Sequence, residues 1–217
     1  VSWLKGHLID FIAPQVYWKI GFKRADFSLV APWWCKTARK FSRQAFVSMC
    51  IDKLMTTSEF PEWAAEMEIL RRNCAKDQGG TIFWSVRNLY NKPGLSEQLC
   101  NYLKRTVYQY PSLMPLTPWR NNVARKAPVV NFLKQEGNLL TWQLIPRCRY
   151  TVYAFPKTMD KAQFGTEVKY LLGMVYNPER GGEMVTYTIP AHLRSAYQFA
   201  VCPLDRYGNE YAPSFTE

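Results

Sequence analysis

The stretch Leu8-Ile9-Asp10-Phe11-Ile12-Ala13-Pro14-Gln15-Val16-Tyr17-Trp18 decides how this chain is read. The apolar run from Leu8 to Ala13 reads as a buried strand. Pro14 ends it abruptly, because its ring has no N–H to give to a ladder. A polar amide and two aromatics follow at once. In a (β/α)8 barrel, strands hand side chains in this way to the face where substrate binds, at their C-terminal ends. Only seven residues precede the run. The expectation is a C-terminal part of a larger protein, with further barrel strands upstream of Val1.

Working outward, strand and helix signals alternate. A helix pattern runs from about Phe27 to Arg43, with Pro32 expected in its first turn or at a break. Ala45-Phe46-Val47-Ser48-Met49-Cys50-Ile51 reads as a second buried strand. Ser58 to Pro61 is a helix start, after which Trp63, Met67, Leu70 and Cys74 keep to one face. Gly79-Gly80 is read as breaking that helix, and Thr81-Ile82-Phe83-Trp84-Ser85-Val86 as a third strand. Leu95, Leu99 and Leu103 mark a last helix, roughly Leu95 to Val107. Such alternation with near-continuous apolar strands implies a parallel sheet covered by helices. Three units of this kind cannot close a barrel of about 250 residues. Either the protein extends upstream, so that residues 1–112 are the C-terminal portion of a (β/α)8 TIM barrel, or they form a small three-stranded α/β domain; the first is the expectation.

Leu113-Met114-Pro115-Leu116-Thr117-Pro118-Trp119 changes the pattern. Its prolines disfavour regular structure, so 113–124 reads as a stiff linker. Beyond it come short strands: Leu139–Trp142, Tyr150–Phe155, Tyr170–Tyr176, Met184–Ile189 and Tyr197–Cys202. Turn residues separate several of them, as at Glu136-Gly137-Asn138, Asn177–Gly182 and Tyr207-Gly208-Asn209. About seven strands over 125–217 fit an immunoglobulin-like β-sandwich, with Trp142 as its core tryptophan.

The formal net charge of +11 in 217 residues invites a nucleic-acid reading. The basic residues are scattered, however: 16 Lys/Arg stand against 9 Asp/Glu as far as Pro118, and 12 against 8 beyond it. No stripe forms, so a nucleic-acid partner is not expected; an anionic glycan or envelope surface suits this charge equally well. No apolar run approaches a membrane span, and Val1–His7 lacks a signal-peptide pattern. The six cysteines show no CxxC spacing and do not cluster with His7 or His192, so no metal or other cofactor is implied. Their spacing requires no disulfide, and Cys50, Cys74 and Cys202 read as small buried hydrophobes. Neither histidine has a nucleophile beside it.

Three segments together resemble a known family. Asp10 to Trp18, Trp33-Trp34, and Gly80-Thr81-Ile82-Phe83-Trp84-Ser85 resemble the last third of the barrel in the glycosyl hydrolase-like 10 family of bacterial envelope or secreted proteins. In many of these a proline-rich connector leads to a fibronectin type III-like domain. Leu140-Thr141-Trp142, Tyr150-Thr151-Val152-Tyr153 and Ala200 to Glu210 look like strands of such a domain. The resemblance implies that the three strands are about the sixth to eighth of a TIM barrel. It further implies a glycosidase acting on a polysaccharide or cell-wall glycan, in a secreted, periplasmic or outer-surface protein, lipoproteins included. Its catalytic carboxylates would lie on upstream strands, and the upstream half of the barrel would be a structural partner.

Within this chain, Asp52 is the one acid of the barrel segment expected at a strand's C-terminal end; it is a catalytic candidate, weighed against a loop aspartate beside Lys53. Gln15 offers a donor and an acceptor to vicinal sugar hydroxyls, and Tyr17 adds a hydroxyl to an apolar ring. Trp18 and Trp84 could stack on a pyranose face or simply pack, and Ser85 could hydrogen-bond a hydroxyl. Trp33, Trp34 and Trp63 read as packing residues. The rival reading is a non-catalytic carbohydrate-binding or envelope-assembly protein.

Overall fold

The computed structural model describes residues 1–54, 56–74, 79–120, 127–176 and 182–216. The chain divides into two compact units, Val1–Gln109 and Tyr110–Glu217. The linker expected at 113–124 lies outside the described residues from 121 onward, and so do residues 177–181 of the turn expected at Asn177–Gly182.

The first unit runs α1 (Ser2–Lys5), β1 (Phe11–Ile12), α2 (Phe27–Lys40), β2 (Gln44–Cys50), α3 (Phe60–Asn73), β3 (Gly79–Trp84), α4 (Val86–Asn91) and α5 (Pro93–Thr106). Its three strands are parallel, in the order β1-β2-β3. Period-two alternation sorts β2: Ala45, Val47 and Met49 are buried in the core, while Gln44, Phe46, Ser48 and Cys50 take the opposite face. Against the core face, α2 lays Phe27, Ala31, Cys35 and Ala38, α3 lays Phe60, Trp63, Met67 and Leu70, and α5 lays Leu99 and Leu103. Each set keeps helical spacing, so all three helices share one side of the sheet. The Trp63 indole meets the Phe83 ring edge-on at 5.2 Å. The other side carries Phe11, Ile82 and Trp84, which are 51%, 36% and 56% exposed.

Local chemistry explains several boundaries and corrects some expectations. Asp26 caps α2, its Oδ1 accepting from the Ser28 N–H at 2.8 Å and the Ser28 hydroxyl at 2.7 Å. Pro32 lies inside α2, beyond the first turn, and the helix continues through it. The strand expected over Leu8–Ala13 shrinks to Phe11–Ile12, and Leu8 is exposed. Gly79 and Gly80 open β3; they do not break α3 as expected. A Cβ on Gly79 would stand 1.9 Å from the Ala45 carbonyl oxygen, so only glycine lets these two backbones approach. Val86 opens α4 and is not part of the third strand. Cys74 is bonded to Cys35, joining the end of α3 to α2. Trp33 is half exposed and meets Trp34 edge-on at 4.7 Å, so it packs less completely than expected.

The second unit is all β, with a four-stranded sheet, β10-β9-β6-β7, and a three-stranded sheet, β4-β5-β8. The strands are β4 (Lys134–Glu136), β5 (Leu139–Gln143), β6 (Arg149–Pro156), β7 (Leu171–Val175), β8 (Met184–Thr188), β9 (Tyr197–Leu204) and β10 (Ser214–Phe215), and every pairing is antiparallel. Tyr150, Val152 and Ala154 of β6 meet Leu140, Trp142, Val185, Phe199 and Val201 in one core. Trp142 is fully buried and its ring stands edge-on to Tyr150 at 5.2 Å. The alternate residues of β6, Tyr153 and Phe155, join Ala200, Cys202 and Leu171 in a second cluster, covered by Phe164 and Phe215. β6 is thus buried on both faces, which explains why it lacks the alternation of apolar and polar residues seen in half-exposed strands. Tyr170 ends a 3-10 turn, Val168–Tyr170, and the strand begins only after it.

Candidate functional site at the parallel strand exits

The three parallel strands end on a common edge, and the side chains after β1 are laid against β2. The ladder does not stop at Ile12. The Ser48 N–H donates to the Pro14 carbonyl at 2.8 Å, and the Val16 N–H donates to the Ser48 carbonyl at 3.0 Å. Gln15 is thereby paired with Ser48 in parallel register. Proline interrupts the strand without ending its alignment, because its carbonyl still accepts.

Register then places the residues in rows. Ser48 pairs with Ile82 on β3, and Cys50 pairs with Trp84 one row nearer the exit. In a parallel pair, partners project to the same side. Gln15, Ser48 and Ile82 therefore form one row, with Cys50 and Trp84 beyond it. Gln15 is exposed. The Tyr17 hydroxyl lies 3.4 Å from the Ser48 hydroxyl, and Ser48 itself is buried. The structure brings Gln15 and Tyr17 together around Ser48, with Trp84 in the following row.

The remaining sequence candidates are looser. Trp18 is 38% exposed and follows beyond the ladder. Ser85 is half buried at the N-terminal boundary of α4, where its carbonyl accepts from the Asn88 N–H at 3.0 Å. Asp52 is exposed in the 3-10 turn Ile51–Leu54 that leaves β2.

Sequence reasoning missed two parts of this edge. One is Ser48, a hydroxyl in an otherwise apolar strand; its phase opposite Val47 and Met49 was the available signal. The other is an acidic brace under the segment carrying Tyr17 and Trp18. Lys19 is ion-paired with Glu59, and the Ile20 N–H donates to Glu62 Oε1 at 2.7 Å. The Lys19 ammonium, joined by the Thr56 hydroxyl, holds the Glu59 carboxyl down to about 2. Glu66 is buried on the apolar stripe of α3, at i+3 from Trp63 and i−4 from Leu70. Burial, together with the neighbouring Glu62 carboxylate, pushes Glu66 up to about 8. An acid on the core stripe of a helix was the legible sign. Among the described residues, no group of three or more histidine, cysteine or acidic side chains could hold a metal ion.

No family model matches the chain. Over 216 residues it is 30% identical to the glycosyl hydrolase YngK of Bacillus subtilis (strain 168), the match covering 96% of this chain and 41% of that protein. It is 24% identical over 110 residues to the glycosyl hydrolase DigH of Escherichia coli (strain K12), covering 47% of this chain and 25% of that protein. The chain thus spans well under half the length of either relative. Among solved structures, a Cellulomonas fimi endo-beta-1,4-mannanase double mutant gives a TM-score of 0.30 at 9% identity, over 96% of this chain and 48% of that one; a likeness so slight does not bear on the fold. The sequence similarities support a glycosyl hydrolase-like family for the chain.

Proposed function

We propose that this chain is the C-terminal part of a glycoside hydrolase of the glycosyl hydrolase-like 10 kind, combining about the last three strand–helix units of a (β/α)8 barrel with a fibronectin type III-like sandwich. The complete protein cleaves a polysaccharide or cell-wall glycan. Its catalytic carboxylates stand on strands that precede β1, and this chain contributes the part of the substrate edge on β1 to β3. Gln15 and Tyr17 orient sugar hydroxyls, Trp18 or Trp84 borders a subsite, and Ser85 is a further hydroxyl-bonding candidate. The observation that carries the reading is the row Gln15–Ser48–Ile82 with Trp84 beyond it, a polar-aromatic edge at parallel strand exits, where barrel enzymes bind substrate. The similarity to YngK over nearly the whole chain supports it.

Glycosidases of this kind need a general acid and a second carboxylate flanking the bond. Asp52 alone, exposed on its turn, does not supply that pair, and its role here is that of a loop residue. Gln15 and Tyr17 act by fixing the sugar so that the upstream acid reaches the glycosidic oxygen. Export follows from the same reading. The Cys35–Cys74 disulfide supports an oxidising compartment, since such bonds persist outside the cytosol.

The test is turnover of a glycan panel, including peptidoglycan glycan strands, by the full-length gene product and its Gln15→Ala variant. Hydrolysis by the parent and a loss of ten-fold or more in kcat/KM for the variant are expected. Equal turnover by both removes the site assignment, and glycan binding without turnover by the parent favours a carbohydrate-binding role.

A further inference from the structure

The second unit carries a cleft of its own. It is a shallow surface cleft with a cavity volume of about 40 Å³, lined by Met114, Thr117, Arg149, Tyr176, Arg206 and Tyr207, among others. A sugar would therefore lie across its mouth against the aromatic rings and would not be enclosed. Its walls are built before any ligand arrives. Asp205 accepts from the Tyr207 N–H at 2.8 Å, the Asn209 N–H at 3.0 Å, the Asn209 amide at 2.7 Å and the Tyr211 hydroxyl at 3.1 Å. Gly208 takes φ +90°, a left-handed backbone conformation that favours glycine. The Thr117 N–H donates to the Tyr207 carbonyl at 3.2 Å, pinning the segment Met114–Thr117 against this turn.

The chemistry of the lining is specific. The Arg149 guanidinium stands 5.6 Å from the Tyr176 ring centroid, and that of Arg206 stands 4.7 Å from the Tyr207 centroid. One Arg206 N–H is taken by the Tyr207 hydroxyl; the other N–H groups of the two guanidinium forks can meet a carboxylate. Among the described residues neither arginine has an ion-pair partner within 4.0 Å. The carboxylate that lines the cleft, Asp205, is taken up by its own turn. Burial alone would raise its pKa, but the donors from Asn209, Tyr207 and Tyr211 outweigh that and hold it below the ordinary aspartate range. Tyr176 is 45% exposed, so its ring remains open to a stacking partner.

We propose that this cleft binds a carboxylate-bearing pyranose, with Tyr176 or Tyr207 stacking on the sugar and Arg149 and Arg206 taking the carboxylate. The all-β unit is then a second glycan-holding surface, separate in the chain from the strand exits of the first unit. The net charge of +11 would draw an acidic glycan toward it. The choice of a sugar over other anions rests on the function proposed above; the aromatic and cationic lining does not.

The experiment is calorimetric titration of the intact chain with three probes: trigalacturonic acid, the disaccharide N-acetylglucosaminyl-N-acetylmuramic acid, and neutral chitotriose. Binding of at least one acidic probe ten-fold or more tighter than chitotriose is expected, weakening as salt rises. Which acidic probe binds tells a uronate glycan from peptidoglycan. Tyr176→Ala and the double variant R149Q/R206Q should each weaken that binding ten-fold or more. Gly94→Ala, where an added Cβ meets nothing within 4 Å, should leave it unchanged, and unaltered thermal unfolding of each variant would exclude misfolding. Equal affinity for acidic and neutral probes, or variants that bind like the parent, overturns the proposal. Turnover by the full-length protein is read separately: a cleft that binds in a protein that hydrolyses nothing defeats only the hydrolase reading, and the reverse result defeats only the cleft.

Discussion

The Tyr153 hydroxyl donates to Glu210 Oε1 at 2.7 Å, tying the central strand of the larger sheet to the residue that closes the final hairpin. The Thr151 hydroxyl donates to the same oxygen, and Thr151 and Tyr153 are fully buried. Burial first, and then the Glu210 carboxylate, push the Tyr153 phenol above its ordinary range. Glu210→Ala strands two buried hydroxyls and should cost about 2 kcal/mol, whereas Tyr153→Phe should cost about 1 kcal/mol. Urea unfolding at neutral pH measures both; equal, negligible costs would show that the carboxylate is not holding these hydroxyls.

The bond between Cys35 and Cys74 closes a loop with a sequence separation of 39. In the chain-entropy model this is worth about 4 kcal/mol, acting mostly on the unfolded chain. Cys35→Ser, or reduction with dithiothreitol, should lower the unfolding midpoint of the first unit accordingly. Free-thiol titration of the oxidised, unfolded chain should find four thiols among the six cysteines, those of Cys50, Cys100, Cys148 and Cys202.

Glu66 gives the fold a pH dependence whose sign is fixed. Its folded pKa, about 8, lies above the ordinary value of 4.5. Between these two values the folded chain keeps a proton that the unfolded chain has released, so stability falls as pH rises through that window. Glu66→Gln keeps the shape and carries no charge. It should flatten the decline between about pH 4.5 and 8 and raise stability at its upper end, measured by unfolding at several pH values. Glu59, held at about 2 by Lys19, works in the opposite sense: its contribution is present above 4.5 and lost as pH falls toward 2. Its exposure makes that contribution small.

Gly79→Ala should be among the most damaging single-methyl additions in the first unit. The added carbon would lie inside the Ala45 carbonyl, forcing β2 and β3 apart at the start of their shared ladder. A cost of about 3 kcal/mol is expected, seen as a lower unfolding midpoint. Gly94→Ala, where a Cβ would meet nothing within 4 Å, is the control.

What the residue pattern revealed, and what it hid, follows from the range of the forces involved. The stripe Trp63, Met67, Leu70 was legible because its helical period lies within one segment. The strand expected at Tyr150–Phe155 was legible because burial on both faces leaves a run in which Thr151 alone is not apolar or aromatic. β1 was over-extended because Leu8 and Ile9 are apolar, yet hydropathy does not say which apolar residues find a partner. Gly79 was mistaken for a helix stop because its purpose depends on a carbonyl of a strand far back in the chain. α4 has too few residues for a period. Gln15 and Tyr17 stood out at a proline-ended strand, while their neighbour Ser48 emerged only once register was known. The pairing of Cys35 with Cys74 likewise needed two helices side by side.

The side of the parallel sheet away from its helices leaves Phe11, Ile82 and Trp84 wet, an unusual state for parallel strands. In concentrated solution this gives the chain a colloidal liability, for molecules can lower their free energy by meeting through that surface. Preparations of these 217 residues should therefore be limited by solubility before they are limited by unfolding. Charged replacements at Phe11 or Ile82 would be the means of raising that ceiling.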